Sequence, residues 1–539
     1  MKSGQSNRAE DRCLIPLLAM SLFMAMLAEL CEASIGESDI VVVTGEQVPD
    51  GNGSFAGLSS PVINDAGQVA FSATILDGPV ASGGIYRDDG HSTSRIVRFG
   101  QPAPNGNGTI STFSQGNLSL SNVSLNNAGQ VMFVATLSGT SGGNADNGRI
   151  FRGDGATLVQ LASEGQAAPD GNGRLANLGL GDPNLNVAGQ DVFRGVLTDT
   201  IGGTSDNLGV FVVDVAGNLN QVARAGQSAP DGNGQFSNFF ATLLSDTGQV
   251  AFRFNLTNTT GGSVDASGIM RSIGTNLVEI ARANQSAPDG NGRFANFNNS
   301  IPTLNNAGQV AFRCFMSNTI AGTADDTGIA LGDGVSLTLI AREGQPAPDG
   351  NGSFSSFPNP PALNNAGQLV FVAILSDTTS GSTDDRGIFH WDGATVIQVA
   401  RAGLPVPGGN GDFVGFTNPA FNDQGQLAFL AALGDTQGGA TDDTGLYFYD
   451  DAKGLLPVAR EGDALLGSTI TQLSFSTTWA DERRTLNNLG QVVYAFQLAD
   501  GRSGIAVWSV PEPSTAIAAI ACLVPLLTCR RKAVSNRVS

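Results

Sequence analysis

The chain is short of the residues that most chemistry needs. Of its 539 residues only 14% are charged, two are histidine and five are cysteine. Lysine occurs at Lys2, Lys453 and Lys532 and nowhere else. With 28 basic against 48 acidic residues, a net charge of −20, no basic face is available for nucleic acid or an anionic membrane. Cys13, Cys31, Cys522 and Cys529 lie near the ends, and only Cys314 remains in the body, which excludes a disulfide framework there. No Cys-x-x-Cys or zinc spacing exists, and Cys314 reads as a small buried hydrophobe. His91 and His390 carry no motif, and no nucleophile elbow, His-Glu-x-x-His or phosphate loop occurs. Paired carboxylates for glycoside hydrolysis cannot be singled out, because Asp is too frequent in the loops. No stretch of the body keeps a 3.6-residue period, so a helical protein is excluded.

What is abundant is glycine, 71 residues, arranged in repeats. One anchor, Asn-x-x-Gly-Gln-φ-x-Phe with φ apolar, runs Asn64 to Phe71, Asn126 to Phe133, Asn186 to Phe193, Asn305 to Phe312, Asn364 to Phe371 and Asn422 to Phe429. Variants at Ser245 to Phe252 and Asn487 to Tyr494 complete eight copies, spaced 58 to 65 residues apart. A second anchor, Gly-Gln-x-Ala-Pro-Asp-Gly-Asn-Gly, is clearest at Gly165, Gly226 and Gly344 and is mostly lost after Gly462.

Each unit reads as four strands. In residues 354–401, Phe354 to Leu363 is the first, Gln368 to Ile374 the second, Gly387 to Trp391 the third and Ala394 to Arg401 the fourth. Asn364 to Gly367 and Asp392-Gly393 supply turns. Four strands in about 60 residues, repeated, is the pattern of a propeller blade. The expectation is an all-β chain, a single β-propeller of about eight four-stranded blades. The last unit ends at its third strand, Gly504 to Trp508, and Ile40 to Val43 is placed to supply the missing fourth. A seven-bladed propeller or a β-solenoid is the alternative.

The ends read as addresses. Residues 1–33 have a basic start, an apolar run from Leu14 to about Leu30, and the small-x-small site Cys31-Glu32-Ala33, the form of a secretory signal. At 511–539, Pro511-Glu512-Pro513 precedes an apolar run of about 14 residues, short for a membrane span, and then Arg530-Arg531-Lys532. These three parts in order resemble the PEP-CTERM sorting tail. The resemblance implies removal near Pro513 by an exosortase-type membrane protease in a Gram-negative-type bacterium that makes exopolysaccharide, with only transient membrane attachment. In the body, 34–510, the element Asn-x-x-Gly-x-x-Ala-Phe is complete at 64–71, 305–312 and 422–429. With the tail, it resembles the choice-of-anchor tandem-repeat (NxxGxxAF-repeat) bacterial surface proteins. That resemblance covers about residues 40–510, implies a secreted or surface role, and carries no catalytic residues.

Three sets of residues are candidates for function. Asp50, Asp170, Asp231, Asp289 and Asp349 recur in the Asp-Gly-Asn-Gly loops, with Asn two residues on. Such loops suit Asx turns and ion pairs with the Arg that ends strand four (98, 224, 282, 342, 401 and 460), seven residues before the Asp where both occur, with calcium as the alternative. Asp146, Asp206, Asp265, Asp325, Asp384 and Asp442 recur before strand three and read as turn caps, with cation or sugar contact as the alternative. Arg194, Arg253 and Arg313 break the repeat, each following the strand-two Phe in three consecutive units. Three guanidiniums on one arc would suit an acidic polysaccharide, and interior ion pairs with Asp are the alternative. Trp391, Trp479 and Trp508 read as core, with stacking on a sugar as the alternative, and Gly467 to Arg484 is the stretch that departs most from the repeat. No resident cofactor is expected. The function expected is an exported, non-catalytic binding or structural propeller associated with exopolysaccharide or surface proteins. The competing class is an extracellular glycan hydrolase or lyase on the same scaffold.

Overall fold

Short strands rich in Val, Phe and Ala, broken at every turn by Gly, can only bury themselves as sheets. In the computed structural model the described residues are 38–510 except 60, 78–79, 114–122, 179–183, 298–299 and 476–484. The terminal segments 1–33 and 511–539, with Pro511, Glu512 and Pro513, lie outside them, as does Trp479. Residues 38–508 form one unit of eight antiparallel sheets. Seven sheets are continuous segments of chain, 54–98, 109–163, 174–224, 235–282, 293–342, 353–401 and 412–460. The fold is an eight-bladed β-propeller, and the seven-bladed and solenoid alternatives are set aside. The eighth blade is closed as the sequence leads one to expect. Ser38–Val43 pairs antiparallel with Ser503–Trp508, Val43 opposite Gly504 and Ser38 opposite Trp508.

Blade six shows the unit: Ser353–Ser356, Ala362–Leu363, Leu369–Ser376, Arg386–Trp391 and Val396–Arg401. The first strand, expected to be continuous, is in two pieces. Pro358, Pro360 and Pro361 stand in the gap, and proline has no N–H to give a ladder. Blade four has no proline there, and its first strand runs unbroken as Gln235–Leu244.

The core sits between blades. Each apolar cluster joins two neighbours, such as Val62, Ala70 and Ile85 of blade one with Phe113, Val131 and Phe133 of blade two. Ile505 and Val507 of blade eight meet Phe55 and Phe71 of blade one in the same way, so the closing seam is packed like the others. The repeated Phe of strand two is fully buried (Phe71, Phe133, Phe252, Phe312, Phe371, Phe429), each worth roughly 1.5–3 kcal/mol. Cys314 is buried, its thiol directed at the Gly328 carbonyl and pushed up to about 12 by desolvation.

A second closure is polar. The leading Asn of each anchor reaches the next blade: Asn64 Nδ2 donates to the Asn126 carbonyl at 2.8 Å, Asn126 to Asn186, and Asn186 to Ser245. Asn305, Asn364 and Asn422 continue to 364, 422 and 487, and Asn487 returns to the Asn64 carbonyl at 2.9 Å. In blade four, where Ser245 replaces Asn, the link is made by Asp246 N–H to Asn306 Oδ1 at 2.8 Å. The turns that carry this ring therefore meet around the axis, and the fourth strands are outermost.

Candidate functional site

Antiparallel pairing puts the loops before strand one and between strands two and three at one end of each blade. The turns after strand one and the hairpins after strand three lie at the other. At the first end the recurrent acids are drawn together. Arg224 of blade three donates Nη1 to Asp170 at 2.6 Å, Nη2 to the Asn172 carbonyl and Nε to the Asp206 carbonyl. Asn172 Nδ2 bonds Asp206 at 2.8 Å, and its Oδ1 accepts from Ile201 N–H. Blades four, five and six repeat the clamp, with Arg282–Asp231 at 2.6 Å, Arg342–Asp289 at 2.6 Å and Arg401–Asp349 at 2.8 Å. Asp50 in blade one takes both Arg95 and Arg98. Each Arg thus meets the Asp of the loop that opens its own blade, about fifty residues earlier, and not the Asp seven residues on. The guanidinium lies where a cation between the two carboxylates would sit, 2.6 Å from Asp170 and 3.8 Å from Asp206.

The second acids cap turns. Asp206 accepts from Gly202 N–H, and Asp384 from Ser380 N–H, in loops that hold a short 3-10 turn. Hydrogen bonds hold these carboxyls below the usual range. For Asp442 the leading cause is the Thr436 hydroxyl, and for Asp206 it is that of Thr200.

Arg194, Arg253 and Arg313 occupy one register in blades three to five, opposite Val210, Ile269 and Ile329. They share a face with Val192, Ala251 and Ala311, all fully buried. Each donates Nη1 to a backbone carbonyl of the next blade's first strand: Arg194 to Phe239 at 2.7 Å, Arg253 to Phe297 and Arg313 to Phe357 at 2.9 Å. Arg253 also lies 4.0 Å over the Phe240 ring. All three are half-buried, and burial draws them below the ordinary arginine range; for Arg253 the charge of Arg194 adds to it. The geometry gives each a stapling role and keeps three cations together beside the innermost strands.

Two features escape the sequence reading. The residue after each anchor Asn forms a ring of its own: Asp65, Asn127, Val187, Asp246, Asn306, Asn365, Asp423 and Asn488. Asn488 Nδ2 bonds both Asp65 and Asp423, and Asn306 bonds Asp246. Six of them, Asp65, Asn127, Val187, Asp246, Asp423 and Asn488, line an axial cavity of about 90 Å³. The signal was available, since the position holds Asp or Asn in seven units. The second is Asp191. It occupies the φ position of its anchor, filled elsewhere by Val or Leu, and is fully buried with neither carboxyl oxygen hydrogen-bonded. Of the stretch from Gly467 to Arg484, Ser468–Ser474 forms the first strand of blade eight, and 476–484 lie outside the described residues. Trp508 is fully buried against Phe448, and Trp391 is partly buried at the blade five–six core.

Fold and clamps together define a tandem-repeat, eight-bladed propeller whose recurrent polar residues lock blades and loops. The chain belongs to the DUF7453 family, a family of unknown function, which matches residues 27–229, 78–272 and 228–517. No curated protein sequence matches it. Similar solved structures include an oligogalacturonate lyase in complex with manganese (13% identity, 86% of this chain and 98% of that one, TM-score 0.37). A Pyrococcus horikoshii acylaminoacyl peptidase is 12% identical over 82% of this chain (TM-score 0.37), and a post-proline cleaving enzyme from Rickettsia typhi 10% over 81% (TM-score 0.39). The chain spans 58% and 57% of the length of those last two.

Proposed function

We propose that the protein is exported and works at the cell surface or in the extracellular matrix as a non-catalytic binding propeller, with an acidic polysaccharide as its ligand. The supporting observation is the arc of Arg194, Arg253 and Arg313. Three half-buried guanidiniums stand at one register in adjacent blades of a chain with net charge −20. Held by backbone carbonyls, they are ordered in advance for an anion, which arginine takes in bidentate fashion. The recurrent aspartates are bonded to arginine and asparagine, which fits a structural task for them. Export follows from the terminal segments: signal removal near Ala33 and exosortase-type cleavage near Pro513.

The test is a glycan array followed by titration with an acidic polysaccharide, using the wild type and R194Q/R253Q/R313Q. The wild type should bind, with affinity falling as salt rises, and the folded triple variant should lose binding. Unchanged binding by the variant would overturn the arginine reading. Turnover of a glycan that one carboxylate substitution abolishes would replace it with the catalytic one. Mass spectrometry of the mature chain ends tests export and processing.

A further inference from the structure

Blade seven keeps the arginine of the clamp and lacks its acid. In blades three to six the guanidinium Nη1 donates to the aspartate of the opening loop at 2.6–2.8 Å, and Nη2 donates to the carbonyl two residues on. The rest of the clamp is unchanged in blade seven. Arg460 Nε donates to the Asp442 carbonyl at 2.8 Å, Asn410 Nδ2 to the Asp442 carboxylate at 2.9 Å, and Asn410 Oδ1 accepts from Gln437 N–H at 2.8 Å. Gly408 stands where the aspartate would be, and beyond its chain neighbours no atom lies within 4 Å of the point a Cβ would occupy. Among the described residues neither Nη of Arg460 has a hydrogen-bond acceptor. Nη2 is sealed, 3.6 Å from Asp442 Oδ2, while Nη1, the atom that reaches the acid in the sister blades, stays open to solvent. The side chain is 15% exposed, against 2–7% for Arg224, Arg282, Arg342 and Arg401. Blade two, by contrast, has lost both members, with Asn105 and Ser163 at the two positions.

We infer that Arg460 and the opening left by Gly408 form a seat for the carboxylate of an organic acid. The ligand completes in trans the clamp that Asp170, Asp231, Asp289 and Asp349 complete in cis. The sister blades supply the geometry, one carboxylate oxygen on Nη1 in a charge-assisted hydrogen bond. The seat is formed before the ligand arrives, because the bond from Nε holds the arginine and Asn410 holds the loop. Two acids set the charge class. Asp442 lies beside Nη2, and Asp463 accepts the Arg460 backbone N–H at 2.8 Å, as Gln227, Gln285 and Gln345 do for their arginines in blades three to five. A monoanion matches the single open Nη1, whereas a dianion such as phosphate is repelled twice as strongly by those two carboxylates. The inference depends neither on the arginine arc nor on the polysaccharide reading above.

The experiment is saturation-transfer NMR of the full-length chain with sodium acetate, which is the aspartate side chain cut at Cα, in a background of sodium chloride at constant ionic strength. Acetate should bind at millimolar concentration, and R460Q should weaken it about tenfold, or about 1.4 kcal/mol. Glucuronate, titrated in parallel, separates the two sources of the carboxylate: tighter binding than acetate through Arg460 identifies a sugar acid, weaker binding a free organic acid. A second measurement uses blade six. Gly408 takes φ +93°, so G408D would strain the turn, and D349G instead empties the equivalent seat beside Arg401. D349G should melt below the wild type in chloride and recover part of that loss in acetate at equal ionic strength. No saturable acetate signal in the wild type, wild-type acetate affinity in R460Q, or tighter binding of inorganic phosphate than of acetate would overturn the inference. Should R460Q not fold, a D349G melting temperature that acetate leaves unchanged would do so.

Discussion

Replacing Asp191 with valine should stabilise the protein, and by more as the pH rises. Asp191 opens strand two of blade three, opposite Leu185 on one side and Val213 on the other. It is fully buried, and both carboxyl oxygens lack a partner. Desolvation holds the carboxyl well above the ordinary range, and the pull of the nearby Asn184 and Val192 backbone N–H groups and of Arg152 of blade two does not offset it. Two costs follow. The neutral acid leaves unsatisfied polar atoms, about 1–3 kcal/mol. Above about pH 4 the unfolded chain ionises Asp191 and the folded one does not, so the native state binds the extra proton. Stability then falls by about 1.4 kcal/mol per pH unit until the folded value is reached. D191V, the residue of five other blades, removes both. D191N keeps the polar burden but not the titration. Melting temperatures of the three proteins from pH 4 to 8 form the assay, at roughly 1 °C per kcal/mol for a domain this long. D191V should lie above the wild type at pH 4, with a gap that widens toward pH 8, and D191N should show the widening without most of the offset. A gap constant in pH, or a D191V protein less stable than wild type, would refute the reasoning.

Three further outcomes follow from the closures and clamps. Asn487→Ala removes the donor to the Asn64 carbonyl and the acceptor for Leu489 and Gln491 N–H, and should cost about 2–4 kcal/mol in chemical denaturation. Deleting residues 38–43 exposes the whole edge of Ser503–Trp508; it should lower the melting temperature and promote association, and an unchanged melting curve would count against closure by that strand. Arg282→Met strands the Asp265 and Asn233 carbonyls together with the Asp231 carboxylate, and should cost about 2–4 kcal/mol, with hydrogen exchange rising first in those two loops.

The blade count and ring closure were legible because each rests on local chemistry. Asn-x-x-Gly makes a turn, alternating Val, Phe and Ala make a strand, and a last unit lacking its fourth strand needs a partner from elsewhere. What could not be read depends on three-dimensional proximity. Asn64 and Asn126 are 62 residues apart, and nothing in the local pattern says that one side chain caps the other's carbonyl. The Arg–Asp pairing was legible in kind but not in partner, because an offset of seven residues hides that the chain crosses to the next blade between them. The arginine arc was placed correctly by register, yet its hydrogen bonds end on backbone carbonyls, which leave no mark in a sequence. Asp191 passed unnoticed because the anchor was read by its period, and a single acid does not disturb a period.

Departures from the repeat separate by kind. Blades two and seven depart by loss: Asn105 and Gly408 stand where the clamp aspartate would be. Blades three to five depart by gain. They add Arg194, Arg253 and Arg313 in strand two and Asp191 inside a seam, and they carry Ile201 and Ile320 at more than nine-tenths exposure on their loops. A task shared equally by all blades would have kept eight equivalent copies, as the anchor glycines do. The ring of asparagines and the interlocked loops supply rigidity all round the axis. They leave one sector free to carry groups, such as a buried carboxyl and clustered guanidiniums, whose local cost no single blade could bear alone.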